Sequence, residues 1–424
     1  MEKNLEDLYR ESLIHSSSRI LKPGGMKYLS DKYIPDNPLY RRDHILKLSK
    51  WIYGFIETES SGTIFLEGPP GTGKTMCFRI VEKFARRRME EENFPNFRIV
   101  YINGRNRTLM NILTEVLNSV GFRTPYRGLS YGEVVSRLQN AAENTPIHVC
   151  IDEIDQLRLY QDSFKLEDLL YLFSRTSGLS ITTITNNYQF LSRLEDSRVL
   201  SSITKEKNLI FERYNKRQCF EILRERCEKA FREGVMKDEI LEKLADYISD
   251  VSGDIRDGLE VLRNCVEICE EEKREKIDEE VLKKAMDIFR NKKMIQKIQA
   301  LSLSQKTVLA AYYANIVARG EKEQTAEEIF ETYHALREKI GRSSTIQDLR
   351  ARIADLVTFS IFESIKSGRG PGRGVERKYR ATIPLEILYR ALITDSDIST
   401  LLRKFIDEIR RDKIASLHQY DASK

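Results

Sequence analysis

The stretch TIFLEGPPGTGKT, residues 63–75, sets Gly68, Gly73, Lys74 and Thr75 in the spacing G-x-x-x-x-G-K-[ST], directly after an apolar run and ahead of a helical pattern over 76–88. That arrangement suits a phosphate. Glycines let the backbone curl until its N–H groups converge, and the following helix aims its positive end at the same point. Lys74 would pair with the β- and γ-phosphate oxygens and Thr75 would ligate magnesium. A partner site follows in IHVCIDEID, residues 147–155, where an apolar run ends in Asp152 and Glu153. Asp152 can hold the water shell of the metal, and Glu153 can orient or deprotonate a water that attacks a γ-phosphate. These residues together predict a site for ATP or ADP with Mg2+.

Three further groups fall where a conformational ATPase needs them. An apolar strand over 180–185 delivers Asn186, whose amide could contact the γ-phosphate or position water. Arg198, in RLEDSRV, could reach the nucleotide of a neighbouring subunit as a finger. Arg256, in SGDIRDGL, stands near a helix start from which it could reach back to the phosphates, making the angle between domains depend on nucleotide.

The elements that must position these residues are legible from periodicity. Short apolar runs at 63–66, 99–102, 147–151, 179–185 and 208–211 alternate with amphipathic helical stretches, which predicts parallel βαβ units and a sheet covered on both faces. From 215 to about 297 only helical periodicity remains, as in Ile240, Leu241, Leu244 and Ile248, so a small all-helical domain follows. A third pattern then begins. Thr325 with Glu328 and Thr345 with Asp348 read as capping boxes that open two helices, and 367–374 reads as a Gly/Arg-rich hairpin. At the end, Ile398, Leu401, Leu402, Phe405 and Ile409 keep helical spacing, as expected of a helix docked on a neighbouring domain. The expected division is therefore an extension at 1–20, a nucleotide-binding domain at 21–214, a helical lid at 215–296, a third domain at 297–395 and a helical tail at 396–424.

Composition excludes other classes. At 424 residues and roughly 150 per domain the chain should hold two or three domains. Hydrophobic residues at 41% and charged residues at 32%, with 70 Lys+Arg against 65 Asp+Glu, exclude disorder as its main character. A net charge of only +5 means that any nucleic-acid surface must come from local clustering of cations. No run approaches the ~18 apolar residues of a membrane span, and the start lacks the apolar core of a signal peptide, so a cytoplasmic protein without membrane partners is expected. Cys77, Cys150, Cys219, Cys227, Cys265 and Cys269 show no C-x-x-C pair and read as buried thiols rather than metal ligands.

Taken together, these motifs resemble those of an AAA+ ATPase, and more narrowly the archaeal origin-recognition initiators related to the eukaryotic origin-recognition and cell-division-cycle loading proteins. The resemblance covers nearly the whole chain and extends to LSDKYIP (29–35), INGRN (102–106), GFRTPYRGLSYGEVVSRL (121–138), ITNNYQFLSRLEDSRV (184–199) and SGDIRDGL (252–259). It implies an α/β AAA+ core, a small all-helical lid and a C-terminal winged helix. It matches Asn186 to sensor 1, Arg198 to the arginine finger and Arg256 to sensor 2, with Glu153 completing the catalytic set. It also implies that Tyr33, Ile34 and Pro35 line the adenine pocket, and that Gly68, Pro69, Pro70, Gly71, Thr72, Gly73, Lys74, Thr75, Met76 and Tyr214 contact the nucleotide. The chain departs from the family pattern at Asn187, where Asp is usual, and at Ser197, where Pro is usual. The implied activity is that of a slow ATPase working as a nucleotide-set switch.

The third domain carries its own signal for DNA. Over 345–357, helical phase gathers Leu349, Ile353 and Leu356 on one side and leaves Gln347, Arg350, Ala351 and Ala354 opposite, a short, polar and basic face that can enter a major groove. Arg352 lies nearer the core flank. The segment SIKSGRGPGRGVERKYR (364–380) carries Lys366, Arg369, Arg373, Arg377, Lys378 and Arg380 against one acid, as expected of a β-wing on phosphates or in a minor groove. Arg105, Arg107, Arg123 and Arg127 flank a helical insertion that offers a second duplex contact. The expectation is an initiator that binds double-stranded origin DNA, recruits the replicative helicase and works with paralogous initiator subunits. The competing expectation is an origin-binding paralogue that represses initiation; a clamp-loader or remodelling ATPase fits the basic wing poorly.

Overall fold

A computed structural model describes residues 18–91, 97–122, 129–158, 165–188, 190, 207–368, 375–396 and 398–408. The chain divides into two compact units, Met1–Ala285 and Met286–Lys424.

In the first unit, strands β1 (Gly62–Glu67), β2 (Arg98–Asn103), β3 (Ile147–Asp152), β4 (Leu179–Thr185) and β5 (Asn208–Ile210) form one sheet in the order β2-β3-β4-β1-β5, and every pairing is parallel. Parallel sheets need crossovers that bury both faces, and alternate strand residues serve the two sides. Phe65, Val149 and Ile181 pack under helices α3 (Leu109–Ser119), α4 (Tyr131–Asn144) and α5 (Leu166–Arg175). Ile64, Cys150 and Ile184 face the opposite layer, made by α1 (Arg42–Glu57) and α2 (Lys74–Glu91). One polar residue of the sheet interior is fully satisfied. His148 is fully buried between the Ser180 and Thr182 hydroxyls at 2.8 and 2.9 Å, and burial pushes its pKa down to about 3. The register brings the carboxyl ends of β1, β3 and β4 to one level, with Glu67 opposite Thr185 and Asp152 opposite Ile184. Crevices outside strand ends of this kind are where open α/β sheets bind ligands.

The helices α6 (Lys216–Ala230), α7 (Asp238–Val251) and α8 (Ile255–Glu271) follow the sheet in the same unit. The N-terminal segment is stitched to them rather than to the sheet. Lys22 N–H donates to the Ala230 carbonyl at 2.9 Å, Arg232 N–H donates to Ile20 at 2.8 Å, and the Arg263 guanidinium donates to Leu29 at 2.6 Å. All six cysteines are buried free thiols, as the sequence implied, and burial raises Cys77 to about 12.

The division between the units falls within helix α9 (Glu279–Gln299). The second unit then holds α10 (Leu303–Arg319), β6 (Gln324–Thr325), α11 (Ala326–Lys339), α12 (Ile346–Thr358), β7 (Phe362–Gly368), β8 (Val375–Ala381) and α13 (Leu385–Ile393). Its three strands form a sheet in the order β6-β8-β7 with antiparallel pairing. The Thr325 capping box forms as expected, with Glu328 reaching back to the Thr325 N–H at 2.7 Å. The second box forms only halfway. Thr345 caps the Asp348 N–H at 3.1 Å, but the Asp348 carboxylate accepts instead from the Tyr333 hydroxyl at 3.0 Å and from Arg352. In the tail, Ile398 and Leu402 belong to the core of this same unit, with Leu401 and Phe405 packed against it; Ile409 lies outside the described residues.

Candidate functional site

β1 ends at Glu67, and the loop after it turns the chain into α2, which begins at Lys74. The Lys74 side chain is buried and donates to the carbonyls of Gly68 at 2.6 Å and Pro69 at 2.7 Å and to Asn186 Oδ1 at 3.0 Å. Burial pushes its ammonium down to about 8, against the opposing pull of the Asp152 carboxylate. Thr75 Oγ1 donates to Asp152 Oδ2 at 2.6 Å, while Asp152 Oδ1 accepts the Glu153 N–H at 2.9 Å. Glu153 takes a left-handed φ of 55°, rare for a residue with a side chain, and so turns the chain sharply off the end of β3. Lys74, Thr75, Asp152, Glu153 and Asn186, all expected from sequence, therefore meet at one place.

They line one end of a cavity of about 780 Å³ within the first unit. The same cavity is lined by the apolar Tyr33, Ile34, Pro35, Met76, Ile222 and Leu259, together with Asp31, Lys32, Glu225 and Arg226. Charged groups and apolar side chains together in a volume of this size suit a nucleotide. The loop itself tests that fit. Gly71 has φ 73°, and a Cβ there would run into the Asp254 carboxylate; Gly73 has φ 91°, and a Cβ there would lie 3.2 Å from both Met76 Cε and the Tyr214 hydroxyl. Only glycine makes this cradle, which leaves backbone rather than side chains facing the cavity. The adjacent oxygens of Thr75 and Asp152 are the donor types that hold Mg2+ beside a phosphate.

Other expected contacts sit differently. Pro70 lines the cavity, whereas Gly68, Pro69 and Thr72 do not: the first two offer their carbonyls to Lys74, and Thr72 is fully buried with its hydroxyl on the Pro69 carbonyl at 2.9 Å. Tyr214 lines the cavity, but its hydroxyl is committed to the Thr72 carbonyl at 3.2 Å, and burial raises it to about 12. Arg256 also lines the cavity, with its guanidinium paired at 2.7 Å to Asp254, the residue that caps α8. Arg198 lies outside the described residues.

Three residues of this site escaped the sequence reading. The Tyr101 hydroxyl donates to Asp152 Oδ2 at 2.7 Å, with the Arg79 guanidinium 3.4 Å from its ring centroid. Burial first, and then the Asp152 carboxylate, raise the Tyr101 phenol far above its ordinary value. Arg226 holds the carbonyls of Tyr28 and Tyr33 and lies 4.5 Å from the Tyr33 ring centroid, so it fixes a segment that lines the cavity. Tyr101 sits two residues before the end of β2, and only strand register reveals that it reaches Asp152.

Comparison with known proteins agrees with this geometry. Residues 57–194 match the model of an AAA domain, and residues 220–287 match that of a Cdc6 AAA+ ATPase-type lid domain. An ORC1-type DNA replication protein 1 of Sulfolobus acidocaldarius is 31% identical over 352 residues, covering 81% of this chain and 85% of that protein. The chain belongs to the ORC1-type DNA replication protein family. Another ORC1-type protein, from Archaeoglobus fulgidus, is 29% identical over 96% of this chain and 98% of its own length. Among solved structures, the Aeropyrum pernix ORC1 protein in complex with DNA aligns with TM-score 0.72 and 27% identity, covering 91% of this chain and all of that one. The Aeropyrum pernix ORC2 protein, solved as ADPNP-ADP complexes, shares the fold at 18% identity and TM-score 0.54, over 92% of this chain and all of that one. This chain thus carries the AAA+ fold of replication-initiator homologues, and its AAA domain implies nucleotide binding.

The second unit of this ORC1-type protein presents the other expected face. Leu349, Ile353 and Leu356 of α12 are buried, while Gln347, Arg350, Ala351 and Ala354 are exposed, as helical phase predicted. Arg350 is paired with Glu327 at 2.6 Å, and Arg352 is half-buried against Asp348 and Asp355. β7 and β8 form the hairpin expected over 364–380, with Lys366 directly opposite Arg377 and Ile365 opposite Lys378. Arg377 is exposed and Lys378 half-buried; Arg380 is held by Glu363 and Glu323, which makes it a brace of the sheet. Arg369 and Arg373 lie outside the described residues. In the first unit Arg105 is exposed, Arg107 is tied to Glu115, and Arg123 and Arg127 lie outside the described residues.

Proposed function

We propose that this protein is a nucleotide-switched initiator. It holds ATP or ADP with Mg2+ in the cavity of the first unit, binds double-stranded origin DNA through the second unit, and helps recruit the replicative helicase. The observation that carries the reading is the convergence of Lys74, Thr75, Asp152 and Asn186 at the mouth of a glycine cradle. Lys74 neutralises the phosphates, Asn186 lies beside them, and Thr75 and Asp152 are the oxygens that would hold Mg2+, whose chemistry is to offset the charge of the phosphate oxygens. Glu153, which lines the same cavity, would orient the attacking water. By its resemblance to the initiator ATPases, the reading is of slow turnover, with the protein working as a nucleotide-set switch.

The second unit is read as a winged helix, with α12 in the major groove through Gln347 and Arg350 and the β7–β8 hairpin against the backbone. Arg105 and the insertion around it supply a second duplex contact. The Aeropyrum pernix ORC1 protein, solved in complex with DNA, supports this reading. The domains are read as an ATPase core at 21–214, a lid at 215–296 and a DNA-binding domain at 297–395. The test is footprinting on an origin fragment together with a helicase-loading assay, comparing the native protein with Lys74→Ala. Nucleotide-dependent loading supports the proposal; origin occupancy without loading shows the regulator class, and no occupancy refutes both.

A further inference from the structure

Arg41 precedes α1 by one residue and is only 6% exposed. Its Nε donates to the Thr72 carbonyl at 2.8 Å, its Nη2 to the Glu212 carbonyl at 2.9 Å and its Nη1 to the Tyr40 carbonyl at 3.3 Å. The guanidinium carbon lies 4.3 Å from the Tyr214 ring centroid and 5.4 Å from that of Phe211. Among the described residues its partners are these three carbonyls and two aromatic faces, with no carboxylate. A guanidinium keeps its charge at any ordinary pH, and a buried charge without a counter-charge is costly, so the protein keeps one here against a penalty. Carbonyl dipoles and ring faces offset part of that cost and leave the net charge in place.

The Thr72 carbonyl is thus the shared acceptor of Arg41 and the Tyr214 hydroxyl. No described peptide bond is cis, and across a trans peptide the carbonyl and the next N–H point in opposite directions. Two donors on the Thr72 carbonyl therefore turn the Gly73 N–H away from Arg41, and Gly73 lines the cavity. We propose that Arg41 is a positioning residue for the polyphosphate: it fixes the Thr72–Gly73 peptide so that the Gly73 N–H faces the anion, and the bound phosphates supply the counter-charge that no side chain provides. This rests on the nucleotide reading of the cavity. Arg41 touches the loop's outer side, so its effect is felt through the peptide and its field rather than by contact with the ligand.

The test is titration calorimetry of the full-length protein with ADP and, separately, with adenosine, for the native chain, Arg41→Met, Arg41→Lys and Lys74→Ala. Arg41→Met is expected to weaken ADP binding by about 30-fold, the loss that goes with removing charge-assisted hydrogen bonds, and to leave adenosine binding unchanged. Arg41→Lys should fall between, since an ammonium keeps the charge but cannot span the Thr72 and Glu212 carbonyls as a guanidinium does. Equal losses for ADP and adenosine would make Arg41 a plain structural prop and overturn the inference, as would unchanged ADP binding. If Arg41→Met does not fold, the ADP-to-adenosine ratio of Arg41→Lys decides. Should the native chain bind ADP no better than Lys74→Ala does, the nucleotide reading itself fails, and that result is distinct from a failure of Arg41 alone.

Discussion

The two units treat their charged residues in opposite ways. In the cavity of the first, the charges at the phosphate end are held by the protein's own atoms: Lys74 by three acceptors and Asp152 by three donors. In the second, Gln347 and Arg350 are exposed, with Arg350 on a surface ion pair to Glu327, and Lys366 and Arg377 face each other across β7 and β8 with like charge. Directly opposed like charges weaken a strand pair, so the hairpin keeps a repulsion that a nearby anion would relieve. A small polyanion is best met by a prebuilt, low-dielectric cradle in which each contact counts for much. A duplex is met by many solvated cations, each worth little and all sensitive to salt.

Breaking the first arrangement should have the largest effect. Lys74→Ala is expected to weaken ADP affinity by about 100-fold or more, because the phosphates lose the strongest of their charge-assisted contacts. Calorimetry checks this, and DNA affinity without nucleotide should stay near that of the native protein. Next, Lys366→Ala combined with Arg377→Ala should lower duplex affinity about tenfold at moderate salt and flatten the slope of log affinity against log salt by about 2. An unchanged slope in fluorescence anisotropy would show that the hairpin does not reach phosphates. A smaller effect follows from Lys74. Its ammonium is depressed to about 8 in the free protein, and a bound phosphate must raise it. Nucleotide affinity is therefore full well below pH 8 and declines as pH rises through 8, by about tenfold at pH 9, with proton uptake on binding. Calorimetry in buffers of different ionisation enthalpy reads that proton. Smallest, Gln347→Ala should cost a few-fold on a preferred duplex and almost nothing on random sequence, since base contacts specify and backbone contacts do not.

Much of this was legible in the sequence. The five strands fall where their apolar runs lie, because a doubly covered parallel sheet writes itself as short continuous apolar segments. Lys74 and Thr75 were legible from the spacing G-x-x-x-x-G-K-[ST], and Asp152, Glu153 and Asn186 because each lies at or next to the end of such a strand, where position along the chain fixes position in space. Tyr101, Arg226 and Arg41 were not. Tyr101 reaches Asp152 only through the register of β2 on β3, and Arg226 and Arg41 act on carbonyls 193 and 31 residues away in the chain, for which local pattern carries no signal. Asp348 shows the limit of a local rule. Its spacing from Thr345 satisfies the capping box, but Tyr333 from the preceding helix competes for the carboxylate and wins it.

The stitching of residues 18–35 onto α6 and α8 changes what a bound nucleotide would mean mechanically. Its base would rest among Tyr33, Ile222 and Leu259, on chain fastened to those helices, while its phosphates sit on the loop that leaves the sheet. One small molecule would then rivet two parts that are joined covalently only by the short passages around 36–41 and 211–215. Heat resistance of the first unit should accordingly climb with the logarithm of free ADP above its dissociation constant.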